Sequence, residues 1–251
     1  MLSTKYSVKE KQGYMNHVSV VMATLNEEEA VGEVIGSIRR VMGNEVEIVL
    51  VDSSTDQTAE IAQQLGARVI KQPRLGYGIA MQQGMLAANG EIIVTLDCDG
   101  TYPVDRIPDL VQWIEQGWDI VSGSRLRGRH EGMVLLNRLA NWVLAWLARV
   151  IYHLPTTDLT TGMRAYRREI IHRFNWRANQ AFTAELVIRP VRAGYRFKEI
   201  AIDYGCRKGG ETKLHRFKSG MAYLRFLFLE GGREDRAPGP GNEAGGITSE
   251  N

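Results

Sequence analysis

With 251 residues, 44% hydrophobic and 24% charged, the chain holds enough core material for one decorated α/β domain or two small ones, and general disorder is excluded. A formal net charge of +2 is too small to imply nucleic acid, so any basic surface must be local. The two cysteines, Cys98 and Cys206, form neither a C-x-x-C pair nor a zinc pattern and read as reduced thiols of a cytosolic protein. Met1 to His17 is polar and lacks the apolar segment of a secretory signal. No run reaches the roughly 18 apolar residues of a membrane span. The nearest, Leu139 to Ala148, is broken by Asn141 and flanked by Arg138 and Arg149, so the chain is expected to lie on a bilayer at most.

Residues 1–16 read as a flexible leader. Val18 to Ala23 predicts a strand, and Thr24-Leu25-Asn26-Glu27 opens a helix with Val31, Val34, Ile35, Ile38 and Val41 on one face. Val46 to Val51 is a second strand ending at Asp52, and Ser53 to Asp56 offers N-caps for a helix through Ile61, Ala62 and Leu65. A short strand over Arg68 to Ile70 leads into Gly76-Tyr77-Gly78 and a helix to about Ala88. A fourth strand, Ile92 to Leu96, precedes a helix carrying Ile107, Leu110, Val111 and Ile114. Asp119 to Val121 is a fifth strand, closed by Ser122-Gly123-Ser124-Arg125. This order predicts a mainly parallel, right-handed, doubly wound α/β sheet. Beyond it, helices are expected over Met133 to Ile151, Ala181 to Arg192 and Leu214 to Leu229, with a strand over Phe197 to Tyr204. Residues 231–251, rich in Gly, Pro and charge, read as a disordered tail.

Asp97-Cys98-Asp99 is the most informative motif. Its carboxylates emerge where a covered strand ends, the edge at which open α/β sheets bind ligands. Hard oxygen ligands with free positions suit Mg²⁺ or Mn²⁺, which also bind substrate phosphates. The same residues also suit a plain strand-ending turn. Asp52 could cap its own turn, and Asn26 and Glu27 could be a helix start. Arg207, Lys208 and Lys213 could form a solvated basic loop. Glu185 fits a buried structural pair or a site equally. Gly205 to Thr212 nearly spells a phosphate-binding loop, but Glu211 takes the required lysine position. Cys98 reads as a small packed residue, not a nucleophile.

Taken jointly, Val20 through Glu29, Val51 through Thr58, Gly76 through Gly84 and Leu96 through Pro103 resemble the family 2 glycosyltransferases, and within them the dolichyl- or polyprenyl-phosphate hexosyltransferase branch. The resemblance runs from about Val18 to Leu229. It implies a GT-A (Rossmann-like) fold over residues 17–230, with a nucleotide-sugar half over 17–125 and an acceptor half over 126–230. It also implies Asp97 and Asp99 as metal ligands with Thr101 adding an oxygen, and Mg²⁺ or Mn²⁺ as cofactor. Ala23, Leu25, Glu27, Asp52 and Cys98 would line the nucleotide side, and Ser124 and Arg125 would meet the acceptor phosphate. Arg164 and Glu185 match further site positions, and Arg207 and Lys213 match a loop that neutralises the departing diphosphate. Ala23 stands where the family usually has Pro, and Leu25 where it often has Tyr.

The implied reaction is inverting transfer of a hexose from a nucleotide sugar (GDP-mannose or UDP-glucose type) to a polyprenyl or dolichyl phosphate, at the cytoplasmic face of a membrane. An acceptor phosphate is already ionised near neutral pH, so no strong general base is needed. Rival readings are transfer to a soluble or glycan acceptor, a nucleotidyltransferase, and a catalytically silent subunit of a membrane complex. The second would need a basic glycine-rich loop where the acidic Thr24 to Glu27 stands.

Overall fold

The computed structural model describes residues 17–129, 133–207 and 216–230. The expected leader, the expected tail and Lys213 lie outside the described residues. Seven strands form one sheet: β1 (Val18–Thr24), β2 (Glu47–Asp52), β3 (Arg68–Lys71), β4 (Ile92–Thr95), β5 (Ile120–Ser124), β6 (Arg164–Arg167) and β7 (Phe197–Ala201). Their order is β3-β2-β1-β4-β6-β5-β7. All neighbours run parallel except β6, which lies antiparallel between β4 and β5 with Ala165 opposite Val94 and Val121. The mainly parallel doubly wound sheet is therefore present, with one reversed strand that no sequence pattern announced. Arg164-Ala165-Tyr166-Arg167 is too short and too charged to show a strand's apolar alternation.

The alternation of side chains along β1 divides the core in two. Val20 and Met22 face α1 (Glu28–Met42) and α4 (Ile107–Glu115), whose buried Val31, Ile35, Ile38, Leu110 and Ile114 sit at the expected helical spacing. Val21, Val49 and Ile93 face the other way, toward α3 (Tyr77–Ala87), α5 (Leu135–Tyr152) and α7 (Phe182–Arg192). Each fully buried Val, Leu or Ile contributes about 1.5–3 kcal/mol relative to exposure, so these two layers hold the sheet. The shorter α2 (Thr58–Gln64) and α6 (Arg168–Arg173) flank it, and α8 (Arg216–Arg225) continues into a π-helical turn over Phe226–Glu230.

Helix α5 behaves differently. It buries only Leu144, Ala145 and Ala148, while Leu135, Leu139, Trp142 and Trp146 are 76, 56, 58 and 49% exposed. It ends at His153, in the left-handed region at φ 53°, with Pro155 two residues on. Among the described residues no helix is long and apolar enough to cross a membrane.

Candidate active site

Because β1, β2 and β4 are parallel, their carboxyl ends share one edge, and the chain leaves β1 toward β2 on one side and pairs with β4 on the other. That reversal of strand order opens a crevice. The loop after β1 is laced to the loop after β2. Asn26 sits at φ 53°, its Oδ1 accepts the Thr55 N–H at 2.9 Å, and its own N–H donates to Ser54 Oγ at 2.7 Å. The Glu27 N–H donates to Thr58 Oγ1 at 2.9 Å. Asn26 thus serves to fasten one loop to the other. Ala23 and Leu25 are half-buried beside it. Asp52 is buried, opposite Thr24 in register, and accepts the Thr24 and Ser54 hydroxyls at 2.8 and 2.6 Å.

The acidic pair follows β4. Asp99 Oδ1 accepts the Thr101 hydroxyl at 2.6 Å and the Thr101 N–H at 3.1 Å, and Oδ2 accepts Arg207 Nη1 at 3.0 Å. Thr101 therefore orients Asp99 through its hydroxyl hydrogen, and the lone pairs on that oxygen stay able to meet a cation. Asp97 accepts the Tyr77 hydroxyl at 3.2 Å. Burial, and then the neighbouring Asp99 carboxylate, push Asp97 up to about 7, while the charges of Arg125 and Arg207 pull the other way. Arg207 also pairs with Glu27, so one guanidinium spans the acidic groups of the β1 and β4 loops. Burial and the surrounding carboxylates push the Cys98 thiol far up, which suits a packed residue and not a nucleophile.

Two neighbouring carboxylates, Asp99 buried and Asp97 half-buried, with Arg207 already drawn to Asp99, form a donor set fit for a hard divalent cation. Among the described residues no cluster of three or more His, Cys, Asp or Glu forms, so the remaining coordination positions would fall to substrate phosphates and water.

Several residues expected in the cleft are placed elsewhere. Ser124 is fully buried and shares a hydrogen bond of 2.7 Å with Thr157. Arg125 is held in a buried fork by Asp158, Nε to Oδ2 at 2.7 Å and Nη2 to Oδ1 at 2.8 Å. Its Nη2 also donates to Thr160, and the guanidinium lies 5.2 Å over the Tyr204 ring. Ser124 and Arg125 thus form the wall behind the cleft in this structure. Arg164 is 1% exposed and spends its N–H groups on Ser122 Oγ, Leu159 O and Thr183 O, tying β6 to β5 and α7. Glu185 is likewise buried; it accepts the N–H groups of Arg177 and Ala178 at 3.0 and 2.7 Å and pairs with Arg189. Neither reaches the cleft, because a charge inside a core is tolerated only when its polar partners surround it. Conversely, the Tyr77 hydroxyl and Asn179 enter the site without having been singled out. Tyr77 stood inside the Gly76-Tyr77-Gly78 signal; Asn179 had no signal at all.

A mainly parallel seven-stranded sheet with an acidic pair at its switch point defines the class of α/β folds that bind ligands at the carboxyl ends of their strands. The chain belongs to glycosyl transferase family 2, whose model matches residues 19–174. It is similar to the dolichyl-phosphate hexose transferase of Haloferax volcanii, at 45% identity over 205 residues, 82% of this chain and 90% of that protein. It is also similar to the dolichol-phosphate mannosyltransferase of Pyrococcus furiosus, at 30% identity over 225 residues, 84% of this chain and 62% of that protein. Glucosyl-3-phosphoglycerate synthase from Mycobacterium tuberculosis, crystallised with Mn²⁺, UDP-glucose and phosphoglyceric acid, shares the fold. The TM-score is 0.73 at 22% identity, covering 92% of this chain and 86% of that one.

Proposed function

We propose that this enzyme transfers a hexose from a nucleoside diphosphate sugar to a polyprenyl or dolichyl phosphate, with inversion at the anomeric carbon. The observation that carries the reading is the convergence of Asp52, Asp97 and Asp99 on one sheet edge, with Arg207 spanning Glu27 and Asp99. The names of the two lipid-phosphate relatives supply the acceptor class, and the Mn²⁺ bound in the structural neighbour supports the cation.

In this reading residues 17–125 form the donor half and 126–230 the acceptor half. Asp52, held by the Thr24 and Ser54 hydroxyls, offers a fixed carboxylate to the N–H or O–H groups of the nucleoside. Asp97 and Asp99 would hold Mg²⁺ or Mn²⁺, which when bound stabilises the negative charge of the leaving diphosphate. Arg207 is placed to add its positive charge to the same group, exchanging carboxylate partners for phosphate oxygens. Arg125, fixed by Asp158, keeps a positive charge behind Asp97 and favours its ionised form.

A carboxyl must lose its proton before it ligates a cation. With Asp97 up at about 7, the protein's apparent Mn²⁺ affinity is expected to fall as pH drops below that value and to level off above it. The slope should approach about tenfold per pH unit, one proton released per ion bound. Mn²⁺ titrations followed by electron paramagnetic resonance check this; a flat affinity between about pH 5.5 and 8 would contradict it.

The exposed face of α5 gives the acceptor's lipid a surface to share. Leu135, Leu139, Trp142 and Trp146 stand outward, with exposed Arg138 on the same helix able to meet anionic headgroups. We place the enzyme at the cytoplasmic face of a membrane, docked through this helix. Trp142→Glu is expected to reduce co-flotation with anionic liposomes by about tenfold or more while leaving the melting temperature within a degree or two. Unchanged flotation would remove α5 from the docking surface.

The test of the whole reading is a panel of GDP- and UDP-sugars incubated with polyprenyl phosphate and Mn²⁺ and scored for label extracted into organic solvent. Label in the organic phase supports it. Label only in the aqueous phase points to a soluble acceptor, and no turnover with any donor overturns it.

A further inference from the structure

The segment between α6 and α7, residues 174–181, reaches across the domain to the glycine turn at the start of α3. Asn179 Oδ1 accepts the N–H of Gly78 at 3.0 Å and that of Ile79 at 3.4 Å, and its Nδ2 donates to Leu75 O at 2.8 Å. One side chain therefore satisfies two helix N–H groups that α3 itself leaves without partners. The approach is close enough to dictate the sequence of the turn. A Cβ on Gly78 would stand 2.2 Å from the Asn179 carbonyl oxygen, and one on Gly76 would stand 2.5 Å from Asn179 Nδ2.

This segment is itself clamped. Glu185 accepts the N–H groups of Arg177 and Ala178, and Gln82 on α3 donates to Ala178 O at 3.1 Å. On the far side of the turn the Tyr77 hydroxyl donates to Asp97 Oδ1. Gly162 leaves this face of Asp97 open: a Cβ added there would stand 3.0 Å from the same oxygen and crowd it. The second torsion of an aspartate is otherwise broad, so with space left on the Gly162 side the Tyr77 hydroxyl is the group that selects the carboxylate orientation.

We propose that Asn179 and Tyr77 together form a positioning device for the Asp97 carboxylate: Asn179 fastens the Gly76–Gly78 turn, and the turn aims the Tyr77 hydroxyl at Asp97. The inference rests on the reading of Asp97 and Asp99 as the cation-binding pair. It also gives buried Glu185 a role at a distance, as the anchor of the segment that carries Asn179. Outer partners of ligating carboxylates typically change metal affinity by about 10–100-fold when removed.

The experiment measures Mn²⁺ affinity of the full chain by electron paramagnetic resonance, with no donor or acceptor present, so turnover plays no part. Tyr77→Phe removes one oxygen and is expected to weaken Mn²⁺ binding about tenfold with an unchanged melting temperature. Asn179→Leu, of similar size, should weaken it comparably, and the double variant should be no weaker than the poorer single one, because both act through the same hydroxyl. Asn179→Asp keeps the acceptor for the Gly78 N–H but loses the donor to Leu75 O, so its affinity should fall between wild type and Asn179→Leu. If Asn179→Leu does not fold, Asn179→Asp takes its place in the double-variant comparison with Tyr77→Phe, where the losses should again not multiply. Wild-type affinity in Tyr77→Phe, or single losses that multiply in the double variant, overturns the proposal. Asp99→Ala is the control for the pair itself. If wild type and Asp99→Ala bind Mn²⁺ equally poorly, the cation-pair reading fails and this inference falls with it.

Discussion

Asp158→Ala is expected to lower the free energy of unfolding by about 3–5 kcal/mol, because it strands the buried Arg125 guanidinium without its counter-charge. Asp158 is fully buried, accepts two side-chain N–H groups of Arg125 at 2.7 and 2.8 Å, and accepts the Arg125 backbone N–H at 3.1 Å. Burial alone would raise the Asp158 carboxyl, but the Arg125 charge and these hydrogen bonds hold it below the ordinary carboxylate range. Its folded pKa is thus depressed, so the pair's contribution is complete above the unfolded value of about 3.9 and is lost as pH falls through the folded one. Urea titrations should therefore show the full difference between wild type and variant near neutrality, and a shrinking difference in acid. A loss below about 1 kcal/mol at neutral pH would mean that the pair behaves like a solvent-exposed one, against its burial.

Asp99→Ala is expected to reduce kcat by about 10³-fold or more, the equivalent of several kcal/mol of leaving-group stabilisation. The carboxylate is buried, oriented by Thr101 through two hydrogen bonds, and faced by Arg207. In the proposed reading its removal takes away one of the two cation ligands, and it also takes away one of the two carboxylates that hold Arg207. Circular dichroism should show a folded protein, and organic-phase label from the productive donor should fall with Mn²⁺ binding. Activity within about tenfold of wild type would separate Asp99 from the chemistry.

The two variants probe different kinds of charge. Asp99 lies at the opening of the sheet edge, where a ligand can replace Arg207 as its partner. Asp158 lies behind it, with its lone pairs committed to Arg125. Both are acidic residues in loops next to the sheet. Nothing in spacing separates them. The same holds for Arg164, expected near substrate and found fully enclosed between Ser122, Leu159 and Thr183, and for Glu185, whose two sequence readings were equally good.

What was legible came from periodicity. The 3.6-residue spacing of Val31, Val34, Ile35 and Ile38 and the covered run of Ile92 to Thr95 identified their elements, because a parallel sheet buried on both faces demands such patterns. Strand β6 was missed because two of its four residues are arginines whose polar needs are met only by distant partners.

The amino-acid sequence by itself determined the order of strands and helices from β1 to β5, and with it the gathering of Asp52, Asp97 and Asp99 at one edge, since parallel strands all end on the same side. Only the tertiary structure decided which charged groups face the cleft and which are spent inside the protein. A carboxylate's role depends on the donors that folding brings to it from far along the chain, as Arg125 is brought to Asp158 and Arg207 to Asp99, and local spacing carries no record of those meetings.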